Sequence, residues 1–165
     1  MIAANPGGIT VDTTELLKSF CSAVERRDGK GFAALFTEDG VYHDVFYGAF
    51  KGHARLAEMI DDWFHRTARE FRWDMHRPVS DGKMLYAYYT FSYVSTLPEA
   101  QGRRVGFEGV SMMSLRDGKI AEYREVANVG PAFVDLGFAP ERVSKILAKE
   151  GKHLKDQPDF KRHVA

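Results

Sequence analysis

At 165 residues the chain has the length of one domain and can bury a core without disulfide or metal staples. Lysine plus arginine and aspartate plus glutamate both number 23, so the basic excess that nucleic-acid binding shows is absent. Cys21 is the only cysteine, which excludes an internal disulfide framework and a thiolate metal cluster, and no apolar run reaches the length of a membrane span.

Residues 1–10 carry Asn5, Pro6, Gly7 and Gly8 and read as a flexible arm. They lack the basic and apolar regions of a signal peptide, which makes a cytoplasmic location the expectation. Asp12 with Glu15 forms a capping box ahead of Leu16, Leu17, Phe20, Cys21 and Val24, whose spacing predicts a first helix to about Arg27. A short second helix is predicted over 31–36. Thr37-Glu38-Asp39-Gly40 reads as a turn, 41–44 as a strand and 48–52 as its short return. The longest helix is predicted over 53–70, with Leu56, Met59, Ile60, Trp63 and Phe64 on one stripe. Three strands follow. Their inward parity is set by Phe71, Trp73, Met75 and Val79, then by Leu85, Ala87, Tyr89, Phe91 and Tyr93, then by Phe107, Gly109, Ser111, Met113 and Leu115. Asp117-Gly118 turns the chain into a fourth strand, 120–128, and the tail 131–165 holds helices, the longer one opened by Pro140. Helices first and then an antiparallel meander predict an α+β domain rather than a βαβ one.

Two strings, FTEDGVYHD (36–44) and LRDGKIAEYRE (115–125), resemble the nuclear transport factor 2-like superfamily. The resemblance is strongest to its SnoaL-like polyketide cyclase, limonene-epoxide hydrolase and ketosteroid isomerase branch, and covers roughly residues 12–130. It implies a cone-shaped roll in which N-terminal helices pack on a curved, mainly antiparallel mixed sheet and enclose an apolar pocket. The domain would span 11–130, with a helical extension over 131–165. It also implies two acid–base carboxylates. Asp44 stands where ketosteroid isomerases carry their aspartate base, and Glu125 where limonene-epoxide hydrolases and SnoaL-like cyclases carry an aspartate. Tyr42 and Asp44 stand where the epoxide hydrolases hold water with a Tyr and an Asn. The departures are equally specific. Phe20 and Ser111 replace the tyrosine and the protonated aspartate of the isomerase oxyanion hole, and Tyr89 and Phe91 replace the Arg and Asp of the epoxide hydrolase triad. Neither of those sites is expected intact.

Each candidate residue has a functional and a structural reading. Asp44 lies in an apolar-flanked strand, where burial would raise its pKa toward the range useful for proton transfer; alternatively it caps the turn into Val45-Phe46. Glu125 shares parity with Tyr123 and Ala127, so an acid faces an apolar cavity; alternatively it is satisfied by Tyr42 or Tyr89. Tyr42 and Tyr89 are the candidate donors that orient an oxygen or a water. Phe20, Trp63, Phe91, Tyr93, Ser111, Met113 and Tyr123 are the candidate pocket lining, an aromatic set that also suits plain core. His43 and His76 fall on the opposite parity, and the histidines show no ligand spacing, so neither a metal site nor a cofactor is expected. Tyr86, Tyr88, Thr90, Glu108, Val110 and Met112 make the outer sheet face too apolar to stand free, which predicts a homodimer through it, as the resemblance also implies.

The reading is a cofactor-independent acid–base enzyme, an isomerase, dehydratase or cyclase. It would act on an apolar, cyclic oxygenated metabolite, with no nucleic-acid or membrane partner. The alternatives are a non-catalytic small-molecule-binding domain of the same fold and an interaction module. An open mouth reaching both carboxylates is what would favour the enzyme.

Overall fold

Asp12 begins the described part of the chain, residues 12–163 of a computed structural model. Its carboxylate accepts from the backbone N–H groups of Thr14 and Glu15 and caps helix α1, Thr13–Glu25. The arm expected over 1–10 lies outside the described residues. The apolar stripe of α1 is buried from Leu16 to Val24. Asp28 then caps α2, Gly29–Ala34, which begins two residues earlier than the spacing predicts.

Strand β1, Phe36–Asp44, absorbs the segment read as a turn. Phe36 pairs with Ile120 and Val41 already with Glu122, so Thr37 to Gly40 form an irregularity inside the strand. Gly40 is packed so tightly there that a Cβ would come within 2.9 Å of Phe36. Strand β2, Gly48–Lys51, returns beside it.

The single helix predicted over 53–70 is instead α3, His53–Glu58, a π turn, Met59–Trp63, and a 3-10 turn, Phe64–Arg66. The wider π turn shifts the stripe of side chains, and a strand takes over at Ala68.

Strands β3 (Ala68–Ser80), β4 (Met84–Ser95), β5 (Arg104–Arg116) and β6 (Lys119–Asn128) complete one six-stranded sheet in the order β2-β1-β6-β5-β4-β3. Every neighbouring pair is antiparallel except β1–β6, which is parallel, so the last strand lies beside the first rather than at an edge. Val79 is a correction to the parity reading. An extra residue between His76 and Val79, with Arg77 at φ 52°, makes Val79 oppose Tyr86 and leaves it 69% exposed on the outer face.

The sheet wraps the N-terminal helices as a curved layer. Its narrow end is filled by Phe20, Phe32, Phe36, Tyr42 and Tyr123, all essentially without solvent contact. The tail adds α4, Gly130–Asp135, the longest helix α5, Pro140–Asp156, and a 3-10 turn, Pro158–His163. Phe133 and Leu136 join Ala100 and Val105 in a second apolar cluster. The Phe133 ring also lies 6.3 Å from that of Phe46, so the tail braces the wide end of the cone. Among the described residues no helix is long and apolar enough to cross a membrane.

Candidate functional site

Two strand periods bring the acids together. On β1 the inward positions are Tyr42 and Asp44; on β6 they are Tyr123 and Glu125. The parallel register sets Tyr42 against Tyr123, and their rings stack 4.3 Å apart with planes within 6°. One step further along both strands lie Asp44 and Glu125, and both line the same cavity with Tyr42 and Tyr89.

Glu125 is held through one oxygen. The Tyr89 hydroxyl donates to its Oε2 at 2.6 Å and the Tyr123 hydroxyl to the same atom at 3.1 Å, while the Ser111 hydroxyl lies 3.2 Å from that of Tyr123. Tyr89 reaches across β5 because Gly109 is its cross-strand partner. A Cβ at Gly109 would sit 2.6 Å from the Tyr89 hydroxyl oxygen. Asp44 is also held through one oxygen, Oδ1, which accepts from the backbone N–H groups of Phe46 and Tyr47, each at 2.8 Å. The turn cap and the cavity position are therefore compatible. Oε1 of Glu125, Oδ2 of Asp44 and the Tyr42 hydroxyl have no hydrogen-bond partner among the described residues.

Both carboxyls keep a little exposure through the cavity mouth but are ringed by protein on their other sides. Burial pushes the Asp44 carboxyl up to about 6, against the pull of its two backbone N–H donors. Burial likewise pushes Glu125 up to about 7; the Asp44 charge adds to that rise and the two phenols oppose it. Tyr89 and Tyr123 are raised by burial and by the Glu125 charge, so both stay protonated as donors.

The cavity measures about 70 Å³, far below the ~300–1,000 Å³ of a drug-sized ligand pocket, because aromatic rings fill most of the cone. Of the expected lining, Phe91 and Tyr93 border it. Phe20, Ser111, Met113 and Tyr123 do not. They are fully buried in the plugged narrow end, where Ser111 and Tyr123 act on the ligand space only through Glu125. Trp63 is diverted by the π turn to pack on Phe50 and Tyr47 and to donate to Glu58. Other walls come from Phe64, Phe71, Trp73 and Phe107, of which the last three were legible as inward strand positions. Phe46 and Tyr47, on the turn between β1 and β2, are 45% and 46% exposed while bordering the cavity, and so mark its mouth. A turn has no parity, so only their aromatic character pointed to them. His43 bonds Glu122 and His76 bonds Thr90, both on the outer face. Among the described residues no cluster of His, Cys, Asp and Glu could hold a metal ion.

A pair of acids with raised pKa, one oxygen of each anchored and one without a partner, can pass protons to and from a bound molecule without any cofactor.

No curated protein sequence matches the chain. Among solved structures it is similar to TsrD from Streptomyces laurentii, with 18% identity, a TM-score of 0.64, and 76% of this chain and 94% of that one covered. It is similar to an LEH-like epoxide hydrolase from M. tuberculosis, at 21% identity and a TM-score of 0.60 over 82% and 94% of the two chains. A protein of ketosteroid isomerase-like fold from Catenulispora acidiphila, solved in complex with trimethylamine, aligns at 12% identity and a TM-score of 0.67 over 80% and 98%. At these identities the neighbours establish the fold. The SnoaL-like domain model matches residues 17–123, well over half of the sequence, and the chain belongs to that family.

Proposed function

We propose that the protein is a cofactor-independent acid–base enzyme that isomerises, dehydrates or cyclises a small, largely apolar oxygenated molecule. One observation carries the reading: Asp44 and Glu125 border one cavity, each with one oxygen anchored and the other without a protein partner. One carboxyl takes a proton from the substrate while the other gives one, and burial raises both toward neutral pH. Tyr89 and Tyr123 hold Glu125 in place, and the unpaired Tyr42 hydroxyl orients an oxygen of the substrate. Asp44→Asn and Glu125→Gln are each expected to keep the fold and to lower turnover by roughly 10²–10⁴-fold, the usual contribution of general acid–base catalysis. If both variants melt clearly below wild type at every pH, the carboxyls are scaffolding and the enzyme reading falls.

The small cavity and the double backbone bond to Asp44 favour a second reading, a binding domain without turnover. The two differ in heavy water. An enzyme exchanges deuterium into an acidic C–H of its bound ligand, and a binding domain returns the ligand unlabelled.

We also infer a homodimer through the outer sheet face, where Tyr86, Val110 and Val126 are 43%, 41% and 69% exposed.

A further inference from the structure

We infer that the ligand of this cavity carries a positive charge, as a small protonated or quaternary amine held between the two carboxylates and the aromatic walls. The inference rests on the reading of the cavity as a ligand site and narrows the class of molecule it takes.

The lining contains Asp44 and Glu125 and no lysine, arginine or histidine. Neither carboxylate forms an ion pair among the described residues, although nine pairs form elsewhere, including those of Glu122 with His43 and Arg124. Arg66 is the cation near the mouth, and it lies over the Trp63 ring at 4.8 Å and acts on Tyr47 rather than on either acid. Once both carboxyls ionise, above about pH 7, two like charges stand withdrawn from water without a counter-ion, which is unfavourable. A neutral ligand that sealed the cavity would deepen that penalty, whereas a cation would relieve it.

The walls point the same way. Tyr42, Phe64, Phe71, Trp73, Phe91 and Tyr93 surround the space, and an aromatic enclosure attracts ammonium ions through the ring quadrupoles. Size then restricts the ion. A cavity of about 70 Å³ favours a small head, such as one methylated ammonium, with the rest of the molecule outside. The exposed rings of Phe46 and Tyr47 leave an apolar surface outside for the remainder of the molecule.

The linkage is specific. The phenols around the cavity, Tyr42, Tyr47, Tyr89, Tyr93 and Tyr123, are all raised above their ordinary value by burial. His65 packs on Phe71 away from the lining and has its pKa lowered by burial. Between about pH 5 and 8 the charge inside the cavity therefore changes only at Asp44 and Glu125, and cation binding strengthens as they ionise.

The test compares tetramethylammonium chloride with the neutral tert-butyl alcohol, by calorimetric titration at constant ionic strength. At pH about 8 the cation is expected to bind at least about tenfold tighter than the alcohol. Its affinity should fall toward pH 5, and it should fall by a similar factor in Asp44→Asn or Glu125→Gln with circular dichroism unchanged. Equal binding of the two probes overturns the cationic class and leaves the cavity standing as a ligand site. Binding of neither to the folded protein overturns both. Cation binding indifferent to pH and to both substitutions places the ion elsewhere and overturns the inference.

Discussion

Glu125 can accept two phenolic hydrogen bonds on one oxygen because the residue opposite Tyr89 has no side chain. Gly109→Ala would press a methyl group against both the Tyr89 hydroxyl and the Val126 carbonyl, each 2.6 Å from the ideal Cβ position. Overpacking of this kind costs roughly 1–3 kcal/mol. Losing the Tyr89 donor should also raise the Glu125 pKa further, in Gly109→Ala as in Tyr89→Phe, because the phenol favours the charged carboxylate. Carboxyl-carbon NMR titration reads that directly, and an unmoved Glu125 resonance would show that the phenol does not hold it. The two acids also give stability a pH slope of known sign. Folding moves Asp44 from 3.8 to about 6 and Glu125 from 4.5 to about 7. The native state thus keeps protons that the unfolded chain has released. Their contribution is complete below the unfolded values and is lost between those values and about 6 and 7, on the order of 3 kcal/mol for each group. Wild type should melt progressively lower from about pH 4 to 7 and level off above that, and the Asn and Gln variants should flatten that fall. An identical slope in all three proteins would mean that other groups set it.

Two elements depend on side chains reaching across from a neighbour. Strand β3 is an edge, and the Glu25 carboxylate on α1 accepts from the Trp73 backbone N–H at 2.8 Å, which pairs one donor of that edge. Glu25→Ala should cost about 1 kcal/mol and Glu25→Gln much less, as read by chemical denaturation. The π turn is tied to α2 in the same manner, by Asp61 accepting from the Gly29 N–H at 3.0 Å while Arg27 donates to its carbonyl. These ties bear on what the sequence can disclose. The strands were legible because alternation survives along β4, β5 and β6, and alternation placed Tyr89, Ser111, Tyr123 and Glu125 on the inner face. It failed at Val79, where one extra residue reverses the faces, and at the stretch from Met59 to Arg66, where apolar spacing continues while the helix changes its pitch. The mouth was illegible for a different reason: Phe46 and Tyr47 are aimed by the Asp44 carboxylate, a contact between a side chain and a turn that no periodicity encodes.

At the scale of the whole molecule, the outer sheet face and the single mouth have separate consequences. If the exposed apolar residues Tyr86, Val110 and Val126 meet a second copy, light scattering should give a dimeric mass, and Val110→Lys should give a folded monomer. A monomeric wild type at micromolar concentration would end that reading. The cone itself is stopped at its narrow end by the rings of Phe20, Phe32, Phe36, Tyr42 and Tyr123, and among the described residues its cavity is bordered by solvent-exposed ones only at Phe46 and Tyr47. If entry and exit share the turn that carries Phe46 and Tyr47, then on the proposed reading a lingering product excludes substrate and inhibits competitively, and the residence time of the last molecule sets the pace for the next.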